Sequence, residues 1–124
     1  MVTSQGKPGC IIVQRRIFKI SEEFATKARE LFGDKLKETI LFGSFARGGA
    51  TDESDIDIML LIEMDRAELK EYRSGVCAAS SELGIKYGIM ISPVIQGIDE
   101  FNKYKDDLPF FRNISLEGVK IVQK

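Results

Sequence analysis

No histidine occurs anywhere in this chain of 124 residues. That removes imidazole acids, bases and metal ligands, so chemistry near neutral pH must rest on other groups. Cysteine is nearly as scarce: Cys10 and Cys77 lie far apart and make no zinc-binding spacing. Two distant cysteines without a secretory segment read as free thiols, so the expected compartment is the reducing cytoplasm. A charge excess of either sign is missing as well. The 18 basic and 19 acidic residues leave a formal net charge of -1, with no basic surplus to point to nucleic acid. No apolar run approaches the roughly 20 residues that span a bilayer, so no membrane segment is expected. Met1–Cys10 is too polar for a signal peptide and, with Gly6, Pro8 and Gly9, reads as a loose tail. Repeats, low-complexity tracts and linkers are absent. The length suits a single domain over 1–124, too small to carry a separate substrate-binding domain.

What the chain does contain is concentrated between residues 37 and 62. Residues 37–43 (KETILFG) predict a strand with Thr39 and Leu41 on one face and Ile40 and Phe42 on the other. Residues 56–62 (IDIMLLI) predict a second, strongly apolar strand. Between them stands Gly43-Ser44-Phe45-Ala46-Arg47-Gly48, then a polar stretch, then Ser54-Asp55-Ile56-Asp57. Alternate strand residues face the same way, about 6.6 Å apart at roughly 3.3 Å per residue. Asp55 and Asp57 can therefore share one hard cation. The glycine turn is suited to phosphate: Gly43 admits a ligand close to the backbone, and free N–H groups at the start of a helical turn attract its oxygens. The Ser44 hydroxyl adds a hydrogen bond, the turn at Phe45 another amide, and Arg47 a charged fork.

Other elements frame this motif. Residues 21–32 predict a helix capped by Ser21, with Phe24, Ala28, Leu31 and Phe32 as its buried stripe and Gly33 as its stop. Residues 65–83 predict another, capped by Asp65 and stopped by Gly84, burying Leu69, Tyr72, Val76 and Leu83. A third strand is expected over 85–92, with Pro93 marking an edge, bulge or exit. Short helices are expected at Ile98–Lys105 and Pro109–Glu117. The fold class is α/β, of the α+β kind: a small mixed sheet with helices packed on one face.

An apolar residue, Gly-Ser, ten residues and Asp-x-Asp resembles the nucleotidyltransferase fold of the DNA polymerase beta superfamily. The likeness is to its minimal nucleotidyltransferases. Here the motif stands as Phe42, Gly43-Ser44, Phe45 to Ser54, then Asp55-Ile56-Asp57-Ile58. The likeness in element order runs from about Ser21 to Ile121. It implies that Asp55 and Asp57 are catalytic and hold Mg²⁺, while Gly43, Ser44, Phe45 and Arg47 bind the triphosphate of ATP or another NTP. Minimal members that pair with HEPN-domain toxins share this signature. The resemblance therefore implies an antitoxin that moves AMP from ATP to a tyrosine of the toxin, alone or as a homo- or hetero-oligomer.

The sequence departs from the family in its third strand, where catalytic relatives often carry a further carboxylate. No acidic residue occurs from Ile85 through Ile98, and Gly88, Ile89 and Met90 occupy the expected region. Glu63 lies about 20 Å along the strand from Asp57, and Asp52 and Glu53 read as solvated loop charges. The alternative reading is a catalytically weak or inactive module that binds nucleotide or partner and inhibits by contact. Transfer to tRNA or a small antibiotic would need a basic patch or a second domain. Phe101, Tyr104, Leu108, Phe110 and Phe111 form an apolar group that suits core packing or, in part, a docking surface.

Overall fold

The structure is a computed structural model and describes residues 8–51 and 53–121. Four strands, β1 (Leu36–Phe42), β2 (Ile56–Ile62), β3 (Ile91–Gly97) and β4 (Val119–Lys120), form one mixed sheet in the order β3-β2-β1-β4. Strand β2 pairs antiparallel with β1 and parallel with β3, and β4 pairs antiparallel with β1. The helices are α1 (Pro8–Phe32), α2 (Ser44–Arg47), α3 (Arg66–Tyr87), α4 (Ile98–Tyr104) and α5 (Pro109–Glu117). No helix among the described residues is long and apolar enough to cross a membrane.

The expected mixed sheet is present, but helices cover both of its faces and not one. Strand β2 dictates this: every residue in it except Asp57 is buried, and a strand apolar on both sides needs cover on both. Ile56, Ile58, Leu60 and Ile62 pack toward α1 and α3, joined by Phe24, Phe32, Val76 and Leu83. Met59 and Leu61 pack the other way, with Ile40, Phe101 of α4 and Ile114 of α5. The strand phase expected for Ile40, Leu41 and Phe42 is the phase observed.

Among the described residues helix α1 runs unbroken from Pro8 to Phe32, so residues 8–10 of the expected tail are helical and the helix extends well before Ser21. Ser21, expected as the cap, is instead fully buried within the helix, since Ile17 and Ile20 extend the apolar stripe N-terminally. Leu31 falls at the edge of the stripe, 37% exposed. Residues 1–7 of the expected tail lie outside the described residues.

Helix α3 starts as the sequence predicts. The Glu68 N–H donates to Asp65 Oδ1 at 2.8 Å, and the Asp65 N–H donates to Glu68 Oε1 at 3.3 Å, a reciprocal cap. It runs through Gly84 and stops at Gly88, which takes the left-handed conformation at φ 68°. The expected strand at 85–92 is therefore corrected: residues 85–87 end the helix, and the strand is Ile91–Gly97. Pro93 lies within it, tolerated because β3 is an edge strand. The parallel β2-α3-β3 crossover brings the starts of β2 and β3 together. Antiparallel β1 delivers its C-terminal end to the same place.

Candidate active site

Phe42 ends β1 directly opposite Asp57 of β2. The chain therefore leaves the strand past the Asp57 carboxylate, and the residue that makes the exit is Gly43. Its φ of 78° and ψ of -153° lie in a region essentially closed to other residues. A Cβ at this position would stand 2.3 Å from Asp57 Oδ2. Glycine is required here on both counts. The Ala46 and Arg47 N–H groups each donate to the Gly43 carbonyl at 3.1 Å, closing the short turn α2. The Ser44 and Phe45 amides precede those bonds and are left for other acceptors. The Phe45 ring packs into the core beneath α1 and α3, so what Phe45 offers a ligand is its amide. Arg47 is exposed at the end of the turn.

Asp57 is half-buried and Asp55, one residue before β2, is exposed. Burial, then the nearby charge of Asp55, pushes the Asp57 carboxyl above its ordinary range, and Arg47 offsets this in part. Two carboxylates crowded against one partial counter-charge make a site that favours a cation. Both are hard oxygen donors, the kind Mg²⁺ prefers. No cluster of three or more His, Cys, Asp or Glu suited to a metal occurs among the described residues. The pair therefore fits Mg²⁺, which binds through one or two carboxylates and completes its shell with substrate phosphates and water, better than an ion needing an all-protein cage.

Ser92, and not Gly88, Ile89 or Met90, is the third-strand residue beside the two carboxylates. Those three residues make the bend before β3, whereas Ser92 pairs in register with Asp57. Its hydroxyl donates to Asp55 Oδ2 at 3.4 Å. The position was legible in principle, by continuing the strand register from Asp57, but the misplaced end of α3 hid it. Asp52 lies outside the described residues. Glu53 is exposed, and Glu63 faces Lys35 and Lys37 at 3.9 and 3.7 Å, away from the site. The C-terminal aromatic group divides: Phe101 is buried and Phe111 packs on it, while Leu108 and Phe110 are 45% and 50% exposed.

The site therefore sets a glycine turn closed onto a strand carboxylate, with a second carboxylate two residues before it. The family described as a nucleotidyltransferase domain matches residues 21–122. A protein of Methanocaldococcus jannaschii named "putative protein adenylyltransferase" is 36% identical over 100 residues, covering 81% of this chain and 92% of its own. A second with the same description, from the same organism, is 39% identical over 79 residues, covering 64% of this chain and 78% of its own. The crystal structure of a "putative nucleotidyltransferase" from Sulfolobus solfataricus superposes with a TM-score of 0.65 at 21% identity, covering 98% of this chain and 94% of that one. The chain belongs to the nucleotidyltransferase domain family, and it is a nucleotidyltransferase.

Proposed function

We propose that this nucleotidyltransferase moves AMP from ATP, with Mg²⁺, onto a hydroxyl of a protein partner. The observation that carries the reading is the contact between the Gly43 turn and Asp57, which sets a phosphate-binding backbone against the two carboxylates. The names of the M. jannaschii relatives support protein as the acceptor. The triphosphate rests on the Ser44 hydroxyl and the amides of Ser44 and Phe45, with Arg47 near the added charge. Asp55 and Asp57 would hold Mg²⁺, which would offset the charge that builds in transfer. The acceptor oxygen attacks the α-phosphorus in line, an O–P bond forms, and the bond to the β-phosphate oxygen breaks as pyrophosphate leaves. Ser92 offers no basic oxygen for the acceptor's proton, which passes to solvent. General-base help is worth about 10²–10⁴ in rate, so its loss slows transfer without abolishing it. A slow step suits a single, tightly held target, and a HEPN-domain toxin silenced by modification of a tyrosine is such a partner.

Ser92 favours the second reading, a module that binds nucleotide and partner and inhibits by contact alone. Incubation of a HEPN partner with ATP labelled at the α-phosphate separates the two. Transfer of label that is lost in Asp57→Ala, with the far-ultraviolet spectrum unchanged, is the expected result. Inhibition of the toxin without any label on it supports the contact-only module. A fully active Asp57→Ala sinks the carboxylate mechanism.

A further inference from the structure

We propose that a pocket between α5 and the motif turn is a nucleobase subsite that takes adenine stacked on Phe110. The inference rests on reading the Gly43–Asp57 contact as the triphosphate site. The pocket, of about 170 Å³, is lined by Phe42, Gly43, Arg47, Phe110, Asn113 and Glu117. It thus shares Gly43 and Arg47 with the phosphate turn. Phe42 and Asp57 are directly paired across antiparallel strands, so their side chains stand on the same face of the sheet. A base in this pocket and a phosphate at Asp57 therefore lie on one side of the molecule, joined through Gly43.

Size and chemistry agree with that occupant. An engineered apolar cavity of about 150 Å³ accepts benzene, so this pocket is on the scale of one flat ring system. Phe110 is 50% exposed and is held edge-on to Phe42, with centroids 5.7 Å apart and planes at 85°. That contact fixes the ring while leaving it half uncovered for a base. The exposed Ile85 and Met90 line a different pocket, which contains neither a residue of the phosphate turn nor an aromatic ring. Residues 110, 113 and 117 share one face of α5, so the two polar side chains project beside the ring. The Asn113 amide can give and accept at the N6/N7 edge, the pairing by which Asn selects adenine. The Glu117 carboxylate accepts from an exocyclic amino group. Uracil carries neither of the two amino hydrogens that this pairing uses.

Calorimetric titration with ATP, UTP and inorganic tripolyphosphate, each with Mg²⁺, tests the assignment on wild type, Phe110→Ala, Phe110→Trp and Asn113→Ala. Phe110→Ala is expected to weaken ATP about 5- to 150-fold, the range for loss of one stacked base, and to leave tripolyphosphate unchanged. Phe110→Trp should retain ATP, and Asn113→Ala should erase the preference for ATP over UTP. Unchanged ATP affinity in Phe110→Ala, or an equal loss of tripolyphosphate, overturns the base subsite while the phosphate site stands. A wild type that binds neither ATP nor tripolyphosphate overturns both.

Discussion

Replacing Gly43 by alanine tests the site's central contact. Two penalties are expected, and they can be separated. The backbone at φ 78°, ψ -153° costs a non-glycine residue about 1–3 kcal/mol. The added Cβ also meets Asp57 Oδ2 at 2.3 Å, so the carboxylate must swing aside, at about 0.5–1.5 kcal/mol for an off-rotamer side chain. Restricting the unfolded chain returns about 0.4–1 kcal/mol. The net loss centres on about 2 kcal/mol, or a fall in Tm of roughly 6–12 °C for a domain of this size. In an Asp57→Ala background the clash vanishes, because the nearest atom left at residue 57 is Cβ at 3.4 Å, an ordinary contact. The backbone strain remains. Urea melts of the wild type, the two single variants and the double variant close the cycle. Gly43→Ala should cost less in the Asp57→Ala background, by about 0.5–1.5 kcal/mol. An equal cost in both backgrounds, or a neutral Gly43→Ala, would refute the close approach.

Two further changes address the carboxylates. Asp57 has its pKa raised by folding, so protonation favours the folded state, and ionisation at neutral pH works against it. Asp57→Asn should raise Tm at neutral pH without metal. The gain should shrink as pH falls through the raised pKa and vanish below the ordinary carboxylate range; a gain that persists in acid would disprove the charge origin. Ser92→Asp should place a third carboxylate in register with Asp57. Mg²⁺ affinity should rise, metal-free stability should fall through like-charge crowding, and labelled transfer should quicken by up to about 10²-fold if the new group serves as a base. Tighter metal with no gain in rate would show that Ser92 is not what limits transfer.

Much of this arrangement is written locally and is therefore readable in the chain. Gly43-Ser44 and Asp55-x-Asp57 declare themselves because a positive-φ turn and an alternating strand pair each demand particular residues at fixed spacing. Asp65 and Glu68 declare the start of α3 because a reciprocal cap needs only four residues. What the chain hides depends on contacts between distant segments. Gly84 looks like a helix stop, yet the helix continues past it because Leu83 is buried against the sheet and Gly88 supplies the left-handed end. That displacement moved β3 and with it Ser92. Strand β4 is only two residues long, too short for any alternation to show. The second helical layer depends on whether Phe101 and Ile114 reach Met59 and Leu61, which no local pattern reports.

The same packing that stabilises the sheet also fixes the site. Asp57 stands between Ile56 and Ile58, both fully buried against α1 and α3. A one-residue slip of β2 would turn every side chain to the opposite face. It would press Asp57 into that core and expel the isoleucines, and burying an unpaired carboxylate costs several kcal/mol even after relaxation. The register that keeps the core apolar is therefore the one that sets Asp57 opposite Phe42 and against Gly43. Past the turn, the stretch from Gly49 toward Asp55 is under no such constraint. Gly49, Thr51 and Glu53 are exposed there, so the segment can lengthen or change without moving the carboxylates. Insertion of a glycine after Gly49 should accordingly leave ATP binding within a few-fold of wild type, whereas insertion of one between Phe42 and Gly43 should remove it.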